Sequence, residues 1–156
     1  VIGREQLKSL DQQIKKRNLI ANLYLNGLKN FYQKYDIIKK PEFKCETCPL
    51  KSNIKKCNKC KHSFYRLNLY INEKKIDQIN LMKQFNKNKI KCKVGSCPEI
   101  YREKIFKKLK LYPKKRLQNA KLLGKTSIMF PINPYKNLKN IKIEINIIKK
   151  ILNNHL

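Results

Sequence analysis

The sequence predicts an α+β fold, and three observations carry that prediction. Segments at both ends of the chain repeat apolar residues at three- and four-residue steps, the helical period. Between them lie short runs that alternate, or that are rich in aromatic and β-branched residues, as strands do. Glycine and proline fall at the junctions of these runs. The resulting order is a long helix, then β-α-β, short helices, a strand and a last helix, with mixed sheet strands. No internal repeat is present.

Leu7, Leu10, Ile14, Ala21, Tyr24 and Leu28 place a long amphipathic helix over residues 3–31, with Gly27 near its end and Arg17 filling a gap in the apolar stripe. Ile37 and Ile38 precede a turn at Pro41. Residues 44–61 form a cysteine- and lysine-rich loop. The aromatic, alternating segment 62–71 predicts a strand, and Ile76, Ile79, Leu81, Met82 and Phe85 predict a helix over 74–88. A short strand over 90–94 ends at Gly95 and Ser96. Pro98 suits the first turn of a short helix through Phe106, and Pro113 can start another that ends at Gly124. Residues 126–130 read as a brief strand stopped by Pro131 and Pro134. The terminal run alternates like a strand at Ile141, Ile143 and Ile145, yet Ile141, Ile145, Ile148 and Leu152 share a helical face, and its length favours helix.

Charge narrows the function without naming it. The 156 residues carry 38 Lys+Arg against 10 Asp+Glu, a net +28, which by itself points to nucleic acid or another polyanion. Only five of those cations are Arg (Arg4, Arg17, Arg66, Arg102, Arg116), whereas phosphate-gripping proteins favour the guanidinium fork. Ala occurs twice and Trp never, while Lys, Asn and Ile abound, a skew that follows A/T-rich codons. The charge is also spread: residues 102–125 hold ten cations and one acid, 1–32 six and two, and 136–156 five and one. A hydrophobic share of 41% excludes a disordered basic tail. No apolar run approaches the ~18 residues of a membrane span and no signal-peptide pattern opens the chain, so a cytoplasmic protein is expected. Val1 opens what reads as the inside of a helix, so a fragment of a longer protein is expected.

Cys45-x2-Cys48 and Cys57-x2-Cys60 are two CxxC pairs eight residues apart, a spacing that can complete a tetrahedral structural zinc site, with His62 as a substitute ligand. Free thiols or redox pairs on a surface insertion are the alternative. Cys92 and Cys97 suit packing or a site loop. Gly124-Lys125-Thr126 imitates the end of a phosphate-binding loop but lacks the earlier glycine and precedes a strand. With histidine only at 62 and 155, no Ser/His/Asp constellation is visible.

The segment Gly95-Ser96-Cys97-Pro98-Glu99-Ile100-Tyr101-Arg102-Glu103-Lys104 resembles a stretch near the C-terminus of DegT/DnrJ/StrS-type sugar aminotransferases, pyridoxal-phosphate enzymes of fold type I. The resemblance continues at Ile2 to Leu10, at His62-Ser63-Phe64-Tyr65-Arg66, and from Leu122 through Pro131-Ile132-Asn133-Pro134. Four blocks in the family's order cover nearly the whole chain apart from 44–61.

This resemblance implies the C-terminal small domain of such an enzyme, with residues 1–32 as an interdomain linking helix and 33–156 as the domain. Family members convert a nucleotide-linked keto-sugar to an amino-sugar, usually with glutamate as donor, as homodimers. The lysine that holds the cofactor, the phosphate cradle and the acid facing the pyridine nitrogen lie upstream in the family. The resemblance therefore implies no catalytic residue here and an inactive chain by itself. It makes the turn at 95–101 the part facing substrate, with Ser96, Glu99 and Tyr101 as its polar groups and His62 and Tyr65 as further candidates. Each has a structural alternative: Tyr65 and Tyr101 as packing residues, Glu99 as support for a helix N-terminus. The chain departs from the family at Asn133, where histidine is common, at the CxxC insertion, and in its lysine excess. The competing reading is a complete basic zinc-binding module that holds RNA, as small ribosomal proteins do.

Overall fold

The computed structural model describes residues 2–40, 62–95 and 99–156. The predicted opening helix is three helices in succession: α1 (Ile2–Lys8), α2 (Leu10–Gly27) and α3 (Lys29–Gln33). The first break is local. Ser9 turns its amide and its hydroxyl back onto the Gln6 carbonyl, at 3.2 and 3.1 Å, tightening that turn. The second break, at Leu28, follows Gly27, where the chain lies hard against the C-terminal helix. A Cβ on Gly27 would sit 2.5 Å from Ile145 Cγ2.

After strand β1 (Ile38–Lys39), the aromatic segment yields β2 (Arg66–Ile71). The helix expected over 74–88 is α4 (Gln78–Lys87), started by Asp77, whose carboxylate accepts from the Asn80 amide at 2.8 Å. The strand expected over 90–94 shortens to β3 (Lys93–Val94), with Ile90 and Cys92 buried ahead of it. A 3-10 turn (Ile100–Arg102) and α5 (Lys104–Lys108) replace the single helix expected through Phe106. Helix α6 (Gln118–Thr126) begins five residues after Pro113 and passes through Gly124, then runs straight into β4 (Ser127–Pro131). The ambiguous terminal run is helix α7 (Leu138–Asn153), capped by the Asn137 side chain on the Lys139 amide at 2.8 Å.

The strands form one sheet in the order β1-β2-β4-β3, and every neighbouring pair is antiparallel. The mixed sheet expected from the sequence is not what forms: all of these pairings are antiparallel. β2 and β3, joined through α4, run parallel to each other but are split by β4, which opposes both.

Register divides the sheet into two faces. Leu67 opposite Phe130, Leu69 opposite Ile128, and Ile71 opposite Ile38 are all buried. Helices α2, α4 and α7 close over them, bringing Tyr24 and Phe85 to 6.0 and 5.8 Å from the Phe130 ring. Ile20, Leu28, Leu81, Ile141, Ile148 and Leu152 complete this core. The reverse face carries Arg66, Asn68, Tyr70, Ser127, Met129 and Lys93, by the alternation of the pleat. Helix α6 lies beside β2 and covers only one end of that face.

Candidate functional site

Among the described residues several hollows open on or beside the sheet, and two of them bear on the site. The first, of about 600 Å³, lies between Asn68, Tyr70, Gly95 and Ser127 on one side and Leu117, Gln118 and Leu123 of the α6 region on the other. Gly95 is there for space. Its amide donates to the Ser127 carbonyl at 3.2 Å, and a Cβ would lie 2.5 Å from Ser127 Oγ and 2.8 Å from its Cβ. Among the described residues the lining offers amides and hydroxyls but no carboxylate, lysine, arginine or histidine. Asn68 Oδ1 is buried there without a hydrogen-bond partner. Such a surface can hydrogen-bond a hydroxylated neutral ligand; at neutral pH it does not exchange protons with one.

Glu99 and Tyr101 are brought together, and they hold this hollow in shape. Glu99 accepts from Arg116 Nε and Nη2, both at 2.7 Å, and from the Tyr101 hydroxyl at 2.8 Å, with Arg102 at 3.5 Å. The Tyr101 oxygen in turn accepts from the Leu117 amide at 3.2 Å, the residue that starts α6. The Arg116 hydrogen bond first, then Tyr101 and the two guanidinium charges, hold the Glu99 carboxyl at about 2 against the residual effect of desolvation. Glu99 is therefore an ionised anchor whose indirect effect is to fix the start of α6.

His62 belongs to another contact. Its Nδ1 accepts from the Phe64 amide at 3.0 Å, and its ring packs 4.3 Å from that of Phe64, which takes φ 43. This is the left-handed region that side chains such as phenylalanine seldom adopt. The His62 carbonyl accepts from Asn18 on α2 at 2.8 Å. Burial lowers the imidazole's proton affinity, so the neutral ring that serves as an acceptor here is favoured. Among the described contacts nothing links His62 to Glu99 or Tyr101. Ser96 lies outside the described residues, as do Cys97 and the four cysteines Cys45, Cys48, Cys57 and Cys60. Among the described residues no group of three metal-ligating side chains is gathered.

The second hollow, about 610 Å³, is basic. Arg17 from α2, Tyr65 and Arg66 from the start of β2, Lys91 and Lys93 around β3, and Asn133 after β4 contribute to it. Both guanidinium groups lie near one ring: Arg17 Cζ is 5.7 Å and Arg66 Cζ 5.5 Å from the centre of Tyr65. Among the described residues no carboxylate lines it. Sequence reasoning missed this cluster; its single trace was Arg17 interrupting the apolar stripe of the first helix. Asn133, which stands where the family often has histidine, is occupied locally, its side chain accepting from the Tyr135 amide at 2.9 Å.

The described lysines do not fit the role of a cofactor-holding Schiff base. Among the described residues each is exposed or half-buried, and none is enclosed in a desolvated pocket of the kind that activates an amine.

A model of the DegT/DnrJ/EryC1/StrS aminotransferase family matches residues 1–149. Among solved structures, an aminotransferase from Psychrobacter cryohalolentis superposes with a TM-score of 0.84 at 27% identity, over 99% of this chain and 38% of that one. The aminotransferase TlmJ from Streptoalloteichus hindustanus gives 0.75 at 14%, over 98% and 35%. An E. coli GDP-4-keto-6-deoxy-D-mannose-3-dehydratase with bound hydrated PLP gives 0.64 at 17%, over 94% and 33%. The last two likenesses bear on the fold alone. The chain thus spans little more than a third of the structures it matches. No curated protein sequence matches it.

Proposed function

Because the chain belongs to the DegT/DnrJ/EryC1/StrS aminotransferase family, we propose that it is the C-terminal part of a pyridoxal-phosphate enzyme that turns a nucleotide-linked keto-sugar into an amino-sugar. Glutamate is the proposed amino donor, and a cytoplasmic homodimer the proposed working form. The observation that carries this reading is the family match over residues 1–149, which favours it over a basic RNA-binding module. When bound, the cofactor supplies the electron sink for amino transfer. Its lysine, phosphate cradle and acidic partner are assigned to the length of the relatives that this chain does not span. The chain alone is then inactive.

Its own work is to bind, orient and exclude water. Residues 1–32 are proposed as the linking helix and 33–156 as the small domain. The reverse face of the sheet is the side proposed to meet substrate. Gly95 lies close to Ser127 of β4, and Ser96, Glu99 and Tyr101 are proposed as the substrate-facing polar groups, with Glu99 and Tyr101 also tied to the head of α6. His62 is proposed to support the other flank through its carbonyl on α2. Cys45, Cys48, Cys57 and Cys60 are proposed to hold one structural zinc per chain; a metal analysis that finds none removes that part.

The reading is tested by the coding sequence upstream of Val1 and by assay. An in-frame cofactor domain with a Schiff-base lysine, and glutamate-dependent amination by that longer protein but not by the 156 residues, is the expected result. A stop codon directly upstream with a start close to Val1, or amination by the 156 residues alone, overturns it. Among the described residues no helix is long and apolar enough to cross a membrane.

A further inference from the structure

We propose that residues 104–117 form a peripheral docking surface for an anionic lipid bilayer. Across residues 99–125 not one residue is buried, although the chain there is folded into the 3-10 turn, α5 and most of α6. Ile105, Leu109, Leu111, Tyr112 and Leu117 are each 50–62% exposed. Single exposed apolar residues are ordinary on a protein surface, but five within thirteen positions make a patch. Lysines are interleaved with them. Lys104, Lys107, Lys108, Lys110, Lys114 and Lys115 are all exposed, and among the described residues no ion pair includes any of them. The segment contains no acid, and of the two just ahead of it Glu99 is taken up by Arg116 and Arg102.

The segment is held at both ends. Ile105 and Leu109 stand one turn apart along α5, and Lys104 and Lys108 form the row beside them. Lys110 then takes φ 58, a left-handed position that usually falls to glycine, and closes the helix. Its amide donates to the Lys107 carbonyl at 3.1 Å, and the Leu111 amide to the Phe106 carbonyl at 2.8 Å. At the far end the Leu117 amide donates to Tyr101 and Arg116 to Glu99.

The pairing of aliphatic and lysine side chains selects the occupant. A second copy of this chain would have to supply acids, and it has ten in 156 residues. A nucleic acid favours arginine and aromatic stacking; here Tyr112 is the single aromatic more than half exposed, and Arg116 is held by Glu99. An anionic bilayer meets both halves of the pattern, with headgroup charge for the ammonium groups and a hydrocarbon boundary for Ile105, Leu109 and Leu111. Long lysine stems keep the charges at the headgroups while the leucines go deeper, and a tyrosine suits the level between. The contact lies on the membrane surface and spans nothing.

The test is flotation of the 156-residue chain, and of any longer protein its gene encodes, with vesicles at physiological salt. One set is phosphatidylcholine alone; the other adds phosphatidylglycerol as a third of the lipid. Binding to the second set only is expected. Leu109→Ser/Leu111→Ser removes no charge and touches no buried residue, and is expected to weaken binding about tenfold or more. Lys107→Gln/Lys108→Gln is expected to weaken it by about tenfold as well. The control Lys139→Gln/Lys142→Gln, exposed on α7 and equal in charge lost, is expected to change it less than about twofold. The chain has no tryptophan, so Leu111→Trp provides a lone reporter whose emission is expected to shift to the blue on the anionic vesicles.

Undiminished binding by the leucine pair, equal weakening by the control pair, or no flotation at that salt overturns the proposal. Tight RNA binding that the leucine pair retains, without flotation, would assign the surface to a nucleic acid. A dimer that the leucine pair disrupts, again without flotation, would assign it to a second copy. Flotation of the 156 residues but not of a longer protein would show that an upstream part covers the patch, and overturns the proposal too. No sugar, amino donor or cofactor enters these measurements, so their failure is separate from failure of the amination assay.

Discussion

Arg116 grips Glu99 through both carboxylate oxygens, Nε to Oε1 and Nη2 to Oε2, each at 2.7 Å. The two residues are 17 positions apart, so the fork closes the loop between the 3-10 turn and α6. Tyr101 extends it by donating to Glu99 and accepting from Leu117 at the head of α6. This triad is how an exposed polar turn acquires a fixed shape beside the neutral hollow.

Acid should release it. The Glu99 carboxyl titrates at about 2 in the fold, below its ordinary value of 4.5, chiefly because of the Arg116 hydrogen bond. A carboxyl depressed in the fold adds stability that is complete above its ordinary range and is lost as pH falls towards 2. Carboxyl NMR is expected to place Glu99 near 2, and Arg116→Gln to raise it towards its ordinary range, with Tyr101 and Arg102 still holding it down. Faster exchange of the Leu117 amide in the same variant would follow the loosened helix start. A Glu99 midpoint in the ordinary range in the unmodified chain would contradict the fork.

Gly27 sets how closely α2 approaches α7. Alanine is the better helix former by about 1 kcal/mol, so Gly27→Ala would stabilise an exposed helix end. Here the added Cβ meets Ile145 Cγ2 at 2.5 Å, and Ile145 is buried, its methyl fixed by the branch at Cβ. Overpacking of this kind costs about 1–3 kcal/mol, so the expected net effect is a loss of stability in urea melts. In an Ile145→Ala background the same change should become neutral or favourable, and additivity of the two changes would show that the contact is absent.

Much of this architecture is written in local patterns. The period of Ile141, Ile145, Ile148 and Leu152 marks α7, the alternation of Leu67, Leu69 and Ile71 marks β2, and Asp77 and Asn137 stand where helices begin. What was not legible depends on partners distant in sequence. The need for glycine at 27 comes from Ile145 on another helix. The separation of β2 from β3 needs β4, which follows them by more than 30 residues. The basic hollow is hidden for the same reason: Arg17, Arg66 and Lys93 meet only once the sheet is ordered. Glu99 and Tyr101 were visible as polar residues of a turn, but not their grip on Arg116.

The Asn137 cap is testable by a small change. Its Oδ1 is held by the Lys139 amide at 2.8 Å and it is exposed, so Asn137→Ala removes the cap with little repacking. A loss of about 1 kcal/mol is expected, with Asn137→Asp near neutral or better, since a carboxylate both caps and favours the helix N-terminus. Thermal melts of the two variants side by side check this; equal losses would mean that the cap contributes nothing.

Tyr24 joins the same two helices as Gly27 by a polar contact. Its hydroxyl donates to Glu144 Oε2 at 2.7 Å, and the other oxygen of Glu144 takes Lys136. Tyr24→Phe leaves the carboxylate one donor short at a nearly closed site, and a hydrogen bond to a charged group is worth about 1.5–3 kcal/mol. A loss of about 1–2 kcal/mol is expected at neutral pH. Burial first, then the hydrogen bond and charge of Glu144, push the Tyr24 proton affinity far above the ordinary tyrosine range. The folded state therefore keeps a proton that the unfolded chain releases above about pH 10. Stability from this contact is full below that pH and falls as pH rises beyond it. The gap between the unmodified chain and Tyr24→Phe should shrink by up to about 1.4 kcal/mol per pH unit above 10. Comparing the two proteins cancels the titration of the lysines. A gap that stays constant from pH 7 to 11 would show that Tyr24 ionises in the fold as readily as out of it.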